Sequence, residues 1–404
     1  MNPFSKKRGF VFILFFLSLS LGAQQIFADS YYSSIGLGLP RYYISARSAG
    51  LGGAGISLRD RLSLNALNLA ADDTKGMTTI AVNFQYESIE NSTQNDKTST
   101  KQGEPVGFRI LMPIKGDIAF VAGIKPLVSS RYLISADQFD DDLQYTKSVR
   151  ASGGLSSIQL GSKFKPYKWI DVGAAFNFIF GSYREDWKTT FYLSDYRNTT
   201  ERITSNMHGL GFELGTLMSL PNDFSLGLVF SGGSDLKGET QLISSISGEN
   251  EPVAISVTYP YSYGIGLSYA LNKMVLTADY YNQAWTTYKF QNASNPDFND
   301  LWRIGGGLEY TDSHDPYSRY SRRISLRVGG YLMSLPYTDK NNDPIREKFV
   351  TFGIGLPFFS DAGRVDVALE IGTRGELPNS LFKESIFRLS GSITAGERWF
   401  RRGR

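Results

Sequence analysis

The sequence of 404 residues contains no cysteine and only two histidines, His208 and His314. Without cysteine the chain can form no disulfide and can carry no lipid anchor on a cysteine side chain. No metal-ligand or nucleophile spacing surrounds either histidine, so we expect no metal site, no cofactor and no enzymatic activity. A hydrolase that uses a Ser-His pair is the enzymatic alternative.

Long hydrophobic runs are also scarce. Lys6, Lys7 and Arg8 precede an apolar run over 10–21, which is too short for a membrane-spanning helix and typical of a signal peptide. We predict that residues 1–28 form a cleaved signal peptide, with a retained anchor helix as the alternative. Beyond residue 28 no stretch approaches the roughly 18 apolar residues that a helical span needs. The chain is therefore expected to be exported, either as a soluble protein or as an outer-membrane barrel.

An excess of charge of one sign is missing as well. The 42 basic residues outnumber the 39 acidic residues by three, and Lys6, Lys7 and Arg8 account for that difference. The mature chain therefore has a formal net charge of zero and no apparent basic stripe, which argues against a nucleic-acid partner.

Glycine and aromatic residues are abundant in contrast. There are 41 Gly, 23 Tyr, 27 Phe and 5 Trp, yet the mean hydropathy is only −0.21. Aromatic girdles around a polar lumen give outer-membrane barrels this combination. The composition thus favours a barrel in the bacterial outer membrane, surrounded by outer-membrane lipids.

From about residue 77 onward, apolar and polar residues alternate with period two, which predicts strands with two unlike faces. Within 364–374, for example, Val365 and Val367 lie opposite Asp366 and Glu370. About fourteen such segments occur, and long polar connections between them, including those over about 88–104, 131–150 and 184–205, alternate with short ones. This alternation is typical of an outer-membrane barrel, which has long loops on one rim and short turns on the other, and is not expected of a β-sandwich. We therefore predict an all-β fold, a transmembrane antiparallel up-and-down β-barrel of about fourteen strands over residues 77–404, with both termini periplasmic.

Residues 29–76 do not fit the strand pattern and carry a Gly-rich stretch at 48–55. Because this segment is also rich in leucine, we predict that it forms a plug in the lumen, with a short helix within Leu58–Ala71. A periplasmic tail is the alternative. The glycine spacing over 50–55 also matches a dinucleotide-binding pattern, but no apolar strand precedes it and no βαβ alternation follows. We reject that reading.

The sequence Ala-Arg-Ser-Ala-Gly-Leu-Gly-Gly-Ala-Gly over 46–55 resembles the opening of the FadL-type outer-membrane transporters for long-chain fatty acids and aromatic hydrocarbons. The resemblance implies a Gly-rich N-terminal hatch ahead of a fourteen-stranded barrel. Its hatch residues would be Gly50, Gly52, Gly53, Gly55, Asn65 and Asn68. The Asn-Pro-Ala element of that family should fall near 65–70, where proline is missing, and this departure bears on the hatch conformation.

Two further features extend the resemblance. The closing strand 387–395, ahead of Trp399 and Phe400, resembles a barrel-assembly signal, so the barrel-assembly machinery is an expected partner. Pro126 falls in the third predicted strand and removes a donor from its ladder. FadL-type proteins have an interrupted third strand that opens a lateral exit into the bilayer, and Pro126 is a candidate for the same feature. The alternative is that the membrane strand simply ends near Lys125.

Charged residues on the strands should face the lumen, because an arginine or lysine facing lipid at mid-depth would cost about 2–4 kcal/mol. One interpretation of these inward charges is that opposite charges pair with one another. The other is that Arg303 or Arg327 binds a substrate carboxylate, since guanidinium suits that geometry. The predicted inward residues are Glu87, Arg109, Glu213, Asp279, Arg303, Glu309, Arg327, Asp366, Glu370, Arg374 and Arg388.

The sequence therefore predicts a passive outer-membrane channel for small hydrophobic molecules, such as long-chain fatty acids or aromatic hydrocarbons. Its expected substrate path contains Pro126, Arg303, Arg327, Glu370 and Arg374. A non-transporting barrel of the same family, acting as a surface anchor or a secretion-machine subunit, is one alternative. It predicts a lumen that is filled without a continuous apolar track. A general polar porin is the other alternative, and it predicts an open, water-filled lumen.

Overall fold

The computed structural model describes residues 30–398, apart from 43–44, 60–61, 74–75, 95, 116, 141–142, 193–194, 295–296, 359–361 and 381. The predicted signal peptide and the terminal residues 399–404 lie outside this range. The strands in chain order are β1 (Leu39–Pro40), β2 (Thr78–Ser92), β3 (Lys97–Lys115), β4 (Ile118–Ser129), β5 (Tyr132–Asp140), β6 (Leu143–Tyr167), β7 (Ile170–Phe191), β8 (Thr199–Ser219), β9 (Phe224–Ser231), β10 (Ser234–Ser244), β11 (Gly248–Glu249), β12 (Val253–Tyr259), β13 (Ser262–Leu271), β14 (Met274–Gln283), β15 (Lys289–Phe290), β16 (Ala293–Ser294), β17 (Leu301–Thr311), β18 (Ser325–Thr338), β19 (Pro344–Phe358), β20 (Gly363–Arg374) and β21 (Lys383–Glu397).

Helical structure in the described ranges is short. It comprises α1 (Ala46–Ala49), α2 (Tyr320–Arg323) and three 3₁₀ turns at Tyr31–Ser34, Leu69–Ala71 and Trp285–Thr287. None of these helices has the length and apolar character to cross a membrane. Of the helix predicted within Leu58–Ala71, the described residues form only the turn at Leu69–Ala71, because side-chain hydrogen bonds of Asn65 and Asn68 hold them in an irregular path.

Fourteen antiparallel strands form the wall. Eleven are continuous, and three are each built from two consecutive segments: β4 with β5, β9 with β10, and β12 with β13. Pairing of β2 with β21 joins the first wall strand to the last and closes the barrel. The predicted barrel class and strand count are confirmed. Because the ring is closed, a strand whose ladders to both neighbours are complete has no free edge.

The period-two pattern places opposite chemistry on the two faces of the wall. In β20, Asp366 and Glu370 are buried inside, whereas Ile371 is exposed on the outside. Large exposed apolar residues, such as Phe176, Leu210 and Ile304, recur on the outer face of successive strands. An outward apolar band around an inward polar face is the arrangement of a transmembrane barrel of the bacterial outer membrane.

Several strands are much longer than the bilayer requires. β6, β7 and β8 contain 25, 22 and 21 residues, whereas a transmembrane strand needs about 9–11. The predicted long connections over 131–150 and 184–205 are therefore wrong in large part, since most of these residues belong to strands. Outside the membrane both faces of a strand contact water, so the apolar alternation disappears while the backbone pairing continues.

Candidate functional site in the barrel lumen

The N-terminal segment, residues 30–73 of the described chain, packs against inward-facing side chains of the wall. Ser30 Oγ donates to Glu384 Oε1 at 2.7 Å, and the Tyr32 hydroxyl donates to the carbonyl of Phe382 at 2.7 Å. Burial raises the pKa of Tyr32 to about 12, so its hydroxyl stays protonated as a donor. Most side chains of 45–58 are buried. The described part of the segment thus contacts the wall, and the plug over residues 29–76 stays a prediction.

Glycines allow the backbone of this segment to touch the wall. Gly52 and Gly53 have φ of +66° and +71°, a region that residues with a side chain rarely adopt. A Cβ on Gly305 of β17 would lie 2.1 Å from the Gly52 carbonyl oxygen, and a Cβ on Gly329 of β18 would lie 2.5 Å from the Gly52 nitrogen. Glycines on both surfaces thus allow direct contact between two backbones.

Asn65 and Asn68 hold the segment in its own irregular shape. Asn65 Nδ2 donates to the carbonyls of Gly55 and Leu58 at 2.6 and 2.8 Å, and its Oδ1 accepts from the backbone nitrogens of Leu67 and Asn68 at 2.9 Å each. Asn68 Nδ2 donates to the carbonyl of Thr216 on β8 at 2.9 Å. The two asparagines order this stretch even though the proline expected between them is missing.

A chain of ion pairs joins the segment to the wall. Arg47 on α1 donates to both oxygens of Glu309, with Nε to Oε2 at 3.0 Å and Nη2 to Oε1 at 2.7 Å. Arg327 binds the same carboxylate and also donates to Asp366 at 2.8 Å. Arg364 completes the chain with a 2.9 Å bond to Asp366. All five side chains are almost fully buried, so the network excludes water from this part of the lumen.

A second network lies around Arg374. This guanidinium donates to Glu347 and, at 2.6 Å, to Glu384. A neighbouring cluster joins Arg388 to Glu87 at 2.6 Å and to Glu370 at 3.5 Å. Glu370 and Arg374, two residues of the expected substrate path, thus have protein partners within the described chain.

Arg303 is also held by the protein. Its guanidinium carbon lies 4.4 Å from the ring centre of Tyr42 and 4.0 Å from that of Tyr331, which places the cation between two aromatic faces. Nη1 donates to the Gly53 carbonyl at 3.1 Å. Both arginines are therefore held by the protein in this conformation. Arg327 pairs with carboxylates, as the interpretation by mutual pairing expects, whereas Arg303 lies between aromatic rings.

Further carboxylates anchor the backbone of the segment. Asp279 Oδ2 accepts from the nitrogens of Gly55 and Ile56 at 2.6 and 2.7 Å. Asp72 accepts from Arg109 on β3 at 3.0 Å. Sequence reasoning predicted Asp279 and Arg109 as inward residues, but not Asp72, because its segment has no periodicity from which an orientation follows.

An apolar cluster fills the lumen towards the long-loop rim. Leu37 and Leu39 of the N-terminal segment pack there with Trp285 and Phe298 from the β14–β17 connection and with Tyr337 of β18. Trp285 is completely buried, and its ring centre lies 6.0 Å from that of Phe298. The chain's own side chains thus occupy the apolar space in which a hydrophobic ligand would have to lie.

Little empty volume remains inside. A cavity of about 100 Å³ lies beside Tyr42, Leu67 and Tyr281, and two smaller cavities of about 60 and 40 Å³ lie nearby. Binding sites for small molecules usually measure 300–1,000 Å³. The lumen is therefore filled without a continuous apolar track along the described residues.

The wall is incomplete at one place, which we call the seam. The β3–β4 ladder runs from Lys115 and Ile118 only as far as Phe108 and Ile124, although both strands continue. Pro105 and Pro126, which have no amide hydrogen to donate, both lie just beyond that point. Leu39–Pro40 (β1) pairs with Val128 and Ser129 on the β4 side instead.

Ion pairs between side chains bridge the seam beyond the end of the β3–β4 ladder. Arg131 binds Glu104 at 2.7 Å, and Arg41 of the N-terminal segment binds Glu104 at 3.3 Å. A groove of about 870 Å³ opens on the outer face beside Pro126 and Phe178. Sequence reasoning identified Pro126 as a candidate interruption, with a strand end near Lys125 as the alternative, but Glu104 and Arg131 were missed because both fall in expected loops.

Groups of histidine and acidic side chains that could hold a metal ion are absent from the described ranges. No curated protein matches this sequence. A family model, BamG, matches residues 5–404.

Solved structures match the fold of the chain. A Pseudomonas aeruginosa FadL homologue is 12% identical, with 89% of this chain and 99% of that chain covered and a TM-score of 0.62. The Pseudomonas putida toluene transporter TodX is 15% identical, with 89% and 99% covered and a TM-score of 0.58. The Ralstonia pickettii toluene transporter TbuX is 13% identical, with 87% and 97% covered and a TM-score of 0.56. At this identity the similarity establishes a FadL-type fold.

Proposed function

The chain belongs to the BamG family, and we propose that it is a non-transporting outer-membrane subunit of the barrel-assembly machinery. In this proposal residues 29–76 are a permanent plug, and the protein acts through its outer and rim surfaces. The family name points towards that machinery. The proposal takes up the non-transporting alternative that the sequence left open.

The filled lumen is the observation that carries the proposal. A solute would have to displace either the apolar cluster around Trp285 or the ion pairs around Arg327 and Arg374. Separating one buried ion pair costs about 3–5 kcal/mol, and several would have to separate together. The cavity of about 100 Å³ beside the segment is also smaller than the roughly 300–1,000 Å³ that sites for small molecules usually measure.

Two measurements test the proposal. In planar bilayers the wild-type barrel should conduct no small ions, whereas a variant without residues 30–76 should conduct. Equal conductance of the two would contradict the plug. In cells, depletion of the protein should lower the folded, heat-modifiable fraction of other outer-membrane barrels, and the wild-type gene should restore it. Normal assembly of all barrels after depletion would refute the assembly role.

Passive uptake of hydrophobic molecules is the second candidate, because the groove beside Pro126 opens to the membrane next to the seam. The solved structures of similar fold include toluene transporters. Pro126→Val would add a ladder donor and should slow uptake if the seam is the route. Uptake of fatty acids and aromatic hydrocarbons would be measured in cells that lack other such channels. Equal uptake with and without this protein would exclude the candidate.

A further inference from the structure

The outer face of β6, β7 and β8 changes character sharply along the strands. On β7 the outward residues Phe176, Phe178 and Phe180 are followed by Ser182 and Arg184. On β8 the outward Leu210 is followed by His208 and Asn206. The apolar band therefore ends at about the level of Phe180, on the rim that carries the long connections.

Basic residues gather just above this boundary. Asp186 of β7 pairs in register with Arg150 of β6 on one side and with Arg202 of β8 on the other. Arg184 and Lys188 lie two residues away from Asp186 on the same face of β7. We call Arg150, Arg184, Lys188, Arg202 and Asp186 the outer basic patch. It contains four cations and one anion and therefore has a net charge of +3.

The single carboxylate orders the patch without neutralising it. Asp186 accepts from Arg202 Nε at 2.6 Å and from Arg184 Nε at 3.0 Å. An arginine has five N–H donors, so both guanidinium groups retain donors for another anion. The side chains of Arg184 and Arg202 are 47% and 43% exposed. The patch is thus preorganised and open to ligand.

The distance of the outer basic patch from the apolar band indicates which kind of anion it would bind. Arg184 lies four residues beyond Phe180, about 14 Å along the strand at a rise of about 3.4 Å per residue. With a strand tilt of about 40°, this is roughly 10 Å above the last outward aromatic residue. That level is the headgroup layer of the outer leaflet, where a lipid phosphate would lie and where basic side chains favour it.

A groove continues from the patch down to the apolar band. The cavity of about 870 Å³ is lined by Ser152, which pairs in register with Arg184, and lower down by Ser156, Phe178 and Phe180. Along β6 and β7 its lining thus changes from hydroxyl groups near the arginines to aromatic rings at membrane level, and its far side is the seam with Glu104 and Arg131. An amphipathic ligand with an anionic head and an acyl chain matches this order.

We propose that the outer face of β6–β8 binds a phosphorylated lipid of the outer leaflet, with its phosphate on Arg150, Arg184 and Arg202 and an acyl chain in the groove. The three arginines lie on the outer face, and the proposal does not depend on the proposed assembly function. Arginine suits the role because its planar donor array matches phosphate geometry.

The test uses the full mature protein in neutral detergent and native mass spectrometry, with bisphosphorylated lipid A as the probe. The variant R150Q/R184Q/R202Q should bind about a hundredfold more weakly, because each basic residue near a charged lipid surface contributes roughly a factor of five. The variant R150K/R184K/R202K keeps the charge but loses the planar donor arrays, so it should bind more weakly than the wild type and more tightly than the glutamine variant. Heat modifiability on gels establishes that each variant is folded.

The opposite rim offers a matched control. There Lys273 and Arg322 surround Asp312, and hydrogen bonds from these two residues lower the pKa of Asp312. The variant K273Q/R322Q/R323Q removes the same charge and should bind lipid A as the wild type does. Equal weakening in both triple variants would show unspecific attraction and overturn the proposal.

Two ligand arms complete the test. The wild type should bind dephosphorylated lipid A about as weakly as the variant R150Q/R184Q/R202Q binds lipid A itself. Inorganic phosphate at the same concentration should neither bind stably nor displace the lipid. Equal binding of the dephosphorylated lipid, or displacement by free phosphate, would refute a site for a lipid phosphate.

Discussion

Arg47 and Glu309 provide a direct measure of how firmly the N-terminal segment is attached to the wall. Arg47→Met removes two charge-assisted hydrogen bonds of 3.0 and 2.7 Å while retaining an unbranched side chain. Both side chains of the pair are only 7% exposed. Removal of one partner from a buried pair costs about 3–5 kcal/mol, and the lower end applies here because Arg327 still compensates Glu309.

The pair is best examined by a double-mutant cycle. Glu309→Gln leaves Arg47 buried beside a neutral side chain, and Arg47→Met with Glu309→Gln removes that cation as well. We therefore expect the double variant to lose about 1–3 kcal/mol less than the sum of the two single variants. The measurement is the free energy of unfolding in urea, with the barrel reconstituted in lipid vesicles. Ion conductance of the same vesicles reports whether the segment still closes the lumen.

The exposed pair Lys348–Glu376 is the control for this cycle. Its side chains are 52% and 66% exposed, so Lys348→Met and Glu376→Gln should show a coupling of about 0–1 kcal/mol. If the effects of Arg47→Met and Glu309→Gln added to within about 0.5 kcal/mol, the segment would not be attached through this pair. The account of the lumen as an ion-paired plug would then be refuted.

Three further predictions concern the same packing. Gly329→Val should detach the segment and raise ion conductance, since its Cβ would lie 2.5 Å from the Gly52 nitrogen, whereas Gly391→Ala, with open space around its Cβ position, should leave conductance unchanged. Trp285→Ala should lower the free energy of unfolding by about 3–5 kcal/mol, and a smaller loss in urea unfolding would mean that the apolar cluster is loosely packed. Asp279→Ala should cost about 1–3 kcal/mol for each of the two backbone N–H groups left unpaired, and faster hydrogen exchange at residues 55 and 56 would localise the effect.

The sequence was sufficient to predict the barrel because the membrane imposes a simple rule on each strand. A residue faces either lipid or lumen, and charges such as Asp366 and Glu370 can face only the lumen without a large cost. The same rule explains why the expected inward residues are found buried or nearly buried. Strand number follows from counting the alternating segments.

The partners within the lumen could not be predicted in the same way. Which carboxylate Arg303 would meet depends on three-dimensional placement, and the structure places its guanidinium between Tyr42 and Tyr331 instead. Asp72 and Arg131 were missed for a related reason. Their segments lack periodicity or have both faces in water, so the sequence pattern carries no information about direction.

The distribution of chemistry between the two faces of the wall bears on where the protein meets other molecules. Inside, many of the described carboxylates and guanidinium groups are arranged in mutually compensating networks, as Arg327 shows with both Glu309 and Asp366. Such networks stabilise one arrangement and have little capacity to accept a further anion, because a new ligand must first separate an existing buried pair. Outside, the patch around Asp186 has more cations than anions and contacts solvent. Recognition of an anionic partner therefore costs least on the outer face, where no existing buried pair has to be broken.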